Sequence, residues 1–510
     1  MQGTSNIPLM QRVADHGDRL AIIDKDAEYT CAELLSAANS VSLCLLDKEP
    51  DLNETRVVFM VRPCFEYAAV NLGIWQAGGI SVPLCIFHPL PEIEYVIKDT
   101  SAEIIILHPD FEKSLRPLLK RLNIRIVLTS EILNSRLSNT NCSLPEINLE
   151  SRAMILYTSG TTSRPKGVVS THFNITAQIK TLVDAWGWSA DDRILNVLPL
   201  HHTHGIINVL MCALWTGAVC EMMPGFDGQK VWDRFLSGGI TLFMAVPTIY
   251  IKLMNLWDKA GLKEKEKMSK ACTLMRLMVS GSAALPEVIF NKWKSISGHF
   301  LLERYGMTET GMILSNPLDG ERRPGFVGRP FPGIKVKLVD ESGNEIFKED
   351  KSGEIMVSGP LLFKEYWEKP EATEKAFVNK WFLTGDIAVV ERGYFKILGR
   401  DSVDIIKTGG YKVSALEIEA VLLENTSIDE CAVVGIYNQE WGERVCAAVS
   451  LCAGCSFTLE ELRFWTKKRL APYKVPSRLL VVDKLPRNIM GKVVKAEVKK
   501  MLGQEVNPEI

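Results

Sequence analysis

Along the first two thirds of the chain, short unbroken apolar runs alternate with stretches whose apolar residues return every three or four positions. RVVFMV precedes CFEYAAVNLGIWQAG, EIIIL precedes FEKSLRPLLKRL, and TLFMAVP precedes TIYIKLMNLW. An unbroken apolar run suits a strand covered on both faces, and the wider spacing suits a helix with one buried side. Their alternation predicts parallel sheets joined by crossover helices. Beyond about Asn316 the texture changes to strands punctuated by Gly and Pro (GFVGRPFPGIKVKLVDESGNEI, GEIMVSGP, GYFKILGR), which predicts a small β-barrel-like subdomain. After Arg400 helices return, with Ser414 and Glu417 in the S-x-x-E pattern of a capping box at SALEIEAVLLEN. The expected fold class is α/β: a large N-terminal domain of layered sheets over residues 1–400, with 316–400 its β-rich part, and a small α+β domain over 401–510.

Composition narrows the class. The 510 residues are 46% hydrophobic and 24% charged, which excludes disordered and collagen-like chains and leaves room for a large core and an inter-domain cleft. A formal net charge of -2 argues against a nucleic-acid partner. From Arg463 to Lys500, however, basic residues far outnumber Asp483 and Glu497, as on a solvated helix face or a surface that meets a phosphate-rich small molecule. The 12 cysteines are scattered, and the C-x-x-C at Cys452–Cys455 has no second pair, so a reduced compartment is the plain reading. No secretory core opens the chain, since Asp15, Asp18, Asp24 and Asp26 come early. The apolar run Gly205–Cys220 is too short to span a bilayer and is interrupted by Asn208 and Thr216, so it predicts a buried helix rather than a transmembrane segment. The start lacks the Arg-rich character of a transit peptide, and the reading is cytoplasmic, or mitochondrial matrix as a mature form without its presequence. Oligomeric state is not legible.

One stretch cannot belong to a core. YTSGTTSRPKGV, Tyr157–Val168, is a dense Gly/Ser/Thr run placed between the strand AMILY and a helix expected near Thr171–Trp186. Hydroxyls at Thr158, Ser159, Thr161, Thr162 and Ser163, with Gly160 between them, can donate to a polyphosphate, and Lys166 can supply the counter-charge. It is not a Walker A loop, because Lys166 follows Pro165 and precedes Gly167.

Downstream lie VSGSAALP (279–286), RYGMTET (304–310), WFLTGD (381–386), GYFKILGRDSVDIIKTGGYKVSALEIE (393–419) and PRNIMGKVVK (486–495). Together with the polar loop, in order and spacing, they resemble the signature motifs of the adenylate-forming acyl-CoA synthetases, over nearly the whole chain. The resemblance implies a large N-terminal domain, a small mobile C-terminal domain, ATP and Mg²⁺ as cofactors, coenzyme A as substrate, and small-molecule partners. It implies that the polar loop holds the β- and γ-phosphates; Ser163 departs from the family's usual glycine. By motif position, Glu309 resembles the Mg²⁺-binding carboxylate and Thr308 the hydroxyl on the α-phosphate. Tyr305 and the turn Gly281, Ser282, Ala283 flank adenine, while Asp386 and Arg400 serve the ribose. Lys492 looks like the catalytic lysine of adenylation and Asp401 the hinge. Gly409 and Gly410 resemble the segment lining the thiol channel, and Arg444 is a candidate for coenzyme A phosphate.

For the acid, LPLHHTHGIINVLMCALWTGA (198–218), MAVPTIYIKLM (244–254) and LLERYGMTETGMILSNPLDGERRPGFVGRPFPG (301–333) are similar to malonyl-CoA synthetases. The implied acyl pocket includes His202, Thr203 and Met307, too bulky together for a long alkyl tunnel. A second carboxylate needs a cation. Lys252 and Arg276 lie near the pocket motifs, with Lys252 preferred and His204 another possible donor. Alternatives are methylmalonate, acetate or an aromatic acid, and, in other classes, a peptide-synthetase adenylation module or a luciferase-like oxygenase.

Overall fold

The computed structural model describes residues 5–25, 27–134, 143–158, 165–487 and 492–504. Each apolar run becomes a strand and each periodic stretch a helix. Arg56–Met60 leads to Phe65–Gln76, Ile104–Leu107 to Pro109–Arg121, and Leu242–Ala245 to Pro247–Lys259. The strands form two large sheets of nine and seven strands; the central members of both run parallel, both edges of the nine-stranded sheet are antiparallel, and the seven-stranded sheet is antiparallel at one edge and ends at the other on the parallel strand Arg125–Leu128. The helix Phe65–Gln76 is buried almost all round between these layers, and Trp75 is locked there by its Nε1–H to the Ala153 carbonyl at 2.7 Å. A burial this complete explains why that helix shows no polar face in sequence.

Two further five-stranded sheets follow. One is built from Lys335–Val339, Gly353–Ser358, Phe377–Val378, Trp381–Glu391 and Tyr394–Arg400, all antiparallel. The other contains only strands beyond Arg400, from Ile405–Thr408 to Arg478–Val481, with its own apolar core. Among the described residues no helix is long and apolar enough to cross a membrane.

Three local expectations change. After the strand Arg152–Thr158 the chain returns as an antiparallel strand, Lys166–Thr171, before the helix His172–Ala185, so the polar stretch joins strand to strand and not strand to helix. Ser414 accepts from the Glu417 N–H at 3.2 Å, but the box is not reciprocal: the Glu417 carboxylate is taken by Lys474 Nζ at 2.6 and 2.7 Å. The run from Gly205 is a buried helix, but residues His204–Met211 form a π-helix that passes into the α-helix Cys212–Thr216. The wider π turn is a form that recurs at functional sites.

Candidate active site

The strands Arg193–Asn196, Leu242–Ala245, Leu277–Ser280 and Leu302–Met307 lie side by side and parallel, so their C-terminal ends open on one edge. Ligands of open α/β sheets bind at such an edge. The segments that follow these strands carry His202, Thr203 and His204, then Gly281–Ala283, then Thr308 and Glu309. Sequence reading had placed them in one site by resemblance alone; the sheet gives the physical reason they can meet.

The β-rich sheet closes over this edge. Asp386 receives the Tyr305 hydroxyl at 2.5 Å on one oxygen and Arg400 Nε at 3.1 Å on the other, so the three residues are one hydrogen-bonded unit. Arg400 also reaches the Met307 sulfur at 3.9 Å, and the Asp401 N–H is held by the Gly385 carbonyl at 3.0 Å. Glu309 is buried in the turn after Met307 and accepts the Tyr366 hydroxyl at 2.9 Å. Burial pushes the Glu309 carboxyl upward, and the Tyr366 hydrogen bond acts against that shift. Thr308 stands half-buried beside it.

The largest finding at the site is a residue that sequence reading passed over. Arg304, one position before Tyr305, is only 3% exposed, and its Nε and Nη2 have no hydrogen-bond partner among the described residues. Its guanidinium lies flat against Gly281, where a Cβ would come within 2.5 Å of Cζ, so the glycine is what makes room for the cation. Burial drags the Arg304 pKa down to about 9, with no anion to hold it up. The next residue of the same loop, Ser282, sits at φ +67°, where side chains are disfavoured, and faces His204 Nδ1 at 3.2 Å. On the neighbouring position of the strand, Glu303 accepts the Leu285 N–H at 3.1 Å and fastens the far end of that loop.

The histidines are held neutral. Burial, then the charge of Arg304 and then His202, keeps His204 well below the usual imidazole range, and its Nε2 has no hydrogen-bond partner among the described residues. Burial first, then Lys492 and His88, brings His202 down to about 4. Lys492 is thus close enough for its charge to be felt at His202. Its own pKa is lowered by loss of water around the ammonium and then by Arg400 and Arg304, with Asp386 opposing. The residue as a whole is solvent-exposed. The charges of Lys492, Arg400 and Arg304 thus act on one another across one space, in which Asp386 is the counter-charge of Arg400.

Neither expected carboxylate-binding cation belongs to that space. Arg276 precedes the strand Leu277–Ser280, at the end opposite Gly281 and about 15 Å away at strand rise. Its guanidinium forks onto Asp192 at 2.7 and 2.6 Å and donates to the Trp186 carbonyl at 2.9 Å. Lys252 is on the exposed side of its helix, its ammonium 5.6 Å from the Phe226 ring centre. Arg276→Met should leave Asp192, 2% exposed, without its partner and cost about 3 kcal/mol of stability. Urea unfolding should show that loss while KM for the acid, in this variant and in Lys252→Met, stays within twofold.

Ser159, Gly160, Thr161 and Thr162 lie outside the described residues. Thr158 and Lys166, which flank them, are cross-strand partners, and Lys166 Nζ sits over the Tyr366 ring at 4.7 Å, beside Glu309. Gly409 and Gly410 form a turn at φ +55° and +81°, and the Gly409 N–H is held by the Trp441 carbonyl at 2.8 Å. A side chain at Gly409 would meet the Trp441 ring at 3.1 Å, so this turn needs glycine for contact as well as for conformation. Arg444 is half-buried on the neighbouring strand, 4.0 Å from Glu440.

The AMP-binding enzyme profile matches residues 9–367, and that of the AMP-binding enzyme C-terminal domain matches 417–492. This chain belongs to the AMP-binding enzyme family. It is an adenylate-forming acid–thiol ligase that uses ATP, Mg²⁺ and coenzyme A. Relatives of this AMP-binding enzyme include the mitochondrial malonate–CoA ligase ACSF3 of Mus musculus, 45% identical over 99% of this chain and 92% of its own. The malonate–CoA ligase of Arabidopsis thaliana is 37% identical over 95% of this chain and 86% of its own. Among solved structures, ATP-bound MatB from Rhodopseudomonas palustris superposes with a TM-score of 0.89 at 32% identity, covering 97% of this chain and 99% of that one. The apo form of MatB gives 0.79 over the same shares, so the present arrangement is nearer to the nucleotide-bound form.

Proposed function

We propose that this enzyme joins malonate to coenzyme A, giving malonyl-CoA, AMP and diphosphate through a malonyl adenylate, with methylmalonate a secondary substrate. One observation carries the choice of acid: beside Gly281 and His204 lies the buried guanidinium of Arg304, whose Nε and Nη2 have no hydrogen-bond partner among the described residues. Arginine stays charged, and a buried charge without a counter-ion costs several kcal/mol. A dicarboxylate supplies that counter-ion with the carboxylate that does not react. A monocarboxylate leaves Arg304 as it stands. The names of the relatives support the same reading, and the mitochondrial naming of the mouse relative favours the matrix over the cytosol.

In the first step a malonate oxygen attacks the α-phosphorus of ATP and the bond to diphosphate breaks. Lys492 neutralises charge on the oxygens shared by the acid and the α-phosphate, and Thr308 donates to that phosphate. Asp386 takes the ribose hydroxyls, while Tyr305 and the Gly281–Ala283 turn flank adenine. Glu309, a single buried carboxylate, would hold Mg²⁺, which would supply neutralisation of phosphate charge there. Among the described residues no cluster of three or more His, Cys, Asp or Glu competes for it. In the second step the thiolate of coenzyme A attacks the acyl carbon and AMP leaves. Gly409 and Gly410 line its approach after residues 401–510 turn about Asp401, and Arg444 meets a coenzyme A phosphate.

The test compares kcat/KM for thioester formation across malonate, methylmalonate, succinate, acetate, octanoate and 4-coumarate. Malonate should exceed acetate by about a hundredfold or more. A monocarboxylate ahead of malonate overturns the choice of acid and leaves the ligase chemistry intact.

A further inference from the structure

Tyr366 lies in KEYWEKPE, a stretch no motif above includes, yet it touches both the phosphate side and the metal side of the site. It is 8% exposed, on the short strand Glu365–Tyr366 that pairs with Val169 and Val168. Its hydroxyl donates to Glu309 Oε1 at 2.9 Å, and the face of its ring lies 4.7 Å from Lys166 Nζ. The same segment grips Glu309 from the other side, since the Phe363 N–H donates to the Glu309 carbonyl at 2.8 Å. The ring is fixed by its neighbours: Phe363 at 4.8 Å between centroids, and the Thr373 hydroxyl accepting the Tyr366 N–H at 3.0 Å.

We infer that Tyr366 is a positioning residue for nucleotide binding, one that aims the Glu309 carboxylate at the magnesium ion with its hydroxyl and holds Lys166 toward the phosphates with its ring. A carboxylate with one oxygen tied down presents the other in a fixed direction, which suits an ion that demands near-octahedral geometry. An ammonium over an aromatic face is attracted by the ring quadrupole without being neutralised, so Lys166 is steered yet keeps its charge for the triphosphate. An acidic partner in place of the ring would compete with the phosphates.

This inference rests on the metal role proposed for Glu309, and the experiment separates the two. Three variants are compared: Glu309→Gln, Tyr366→Phe, which removes only the hydroxyl, and Tyr366→Leu, which removes the ring as well. Tyr366→Phe should raise the Mg²⁺ concentration for half-maximal ATP–diphosphate exchange about fivefold to tenfold, with the rate restored at high Mg²⁺ and KM for malonate unchanged. Paramagnetic resonance of Mn²⁺ titrated into enzyme and a non-hydrolysable ATP analogue should show weaker binding by a similar factor, independent of turnover. Tyr366→Leu should in addition raise the KM for ATP several-fold above the Phe variant. If Glu309→Gln leaves metal dependence unchanged, the metal role of Glu309 is wrong. If Glu309→Gln shifts it and Tyr366→Phe does not, the positioning role is wrong. A fall in melting temperature without any change in metal binding also overturns it, because the bond then serves the fold. Equal KM for ATP in the Phe and Leu variants removes the part assigned to Lys166.

Discussion

Replacing Lys492 with alanine should slow adenylate formation by about a hundredfold to a thousandfold, the loss typical of removing one preorganised donor from a charge-developing transition state. The same variant, given synthetic malonyl adenylate and coenzyme A, should form thioester at near the normal rate. The contrast follows from the role proposed for Lys492, which feels Arg400, Arg304 and Asp386 and is itself felt at His202. Rapid-quench measurement of the two half-reactions checks this, and equal loss in both would put the lysine in a different role.

Arg304→Met should lower kcat/KM for malonate by about a hundredfold to a thousandfold while acetate activity changes by less than about tenfold. The estimate is the cost of leaving a buried carboxylate without its cation, about 3–5 kcal/mol. Methionine keeps the length and removes the charge, and it also relieves the buried guanidinium of the free enzyme, so the fold should not suffer. The ratio of malonate to acetate turnover is therefore the decisive readout. A uniform fall for both acids would mean that Arg304 serves the nucleotide instead.

These two residues mark what could and could not be read from the chain. The role proposed for Lys492 comes from a spaced motif, NIMGK, that the lysine ends. Arg304 stands directly before Tyr305, but nothing in the sequence shows that it is buried, and Lys252 and Arg276 are equally near pocket motifs along the chain. Arg276 illustrates the error in physical terms: proximity to a motif along a strand is not proximity to the site, since the two ends of a strand face opposite edges of the sheet. The alternation of strands and helices, by contrast, follows from burial on one or two faces and was visible throughout. The π form of His204–Met211 was not, because an apolar run shows that a helix is buried but not how it is wound.

The bonds across residue 401 are of two kinds. Within the last hundred or so residues Lys495 is shut in between Asp404 at 2.6 Å and Glu419 at 2.7 Å, a triad that resists disassembly. Between that unit and the rest, Lys412 meets Glu341 at 2.6 Å where both are well exposed, and Ser414 donates to the Leu398 carbonyl. An exposed pair of that kind contributes about 0–1 kcal/mol. The turning proposed for residues 401–510 would give up little in breaking a pair of that kind. On that proposal, occupancy of the site by nucleotide, acyl adenylate or thiol would choose the placement, and the order of the two half-reactions would be a matter of which ligand is bound.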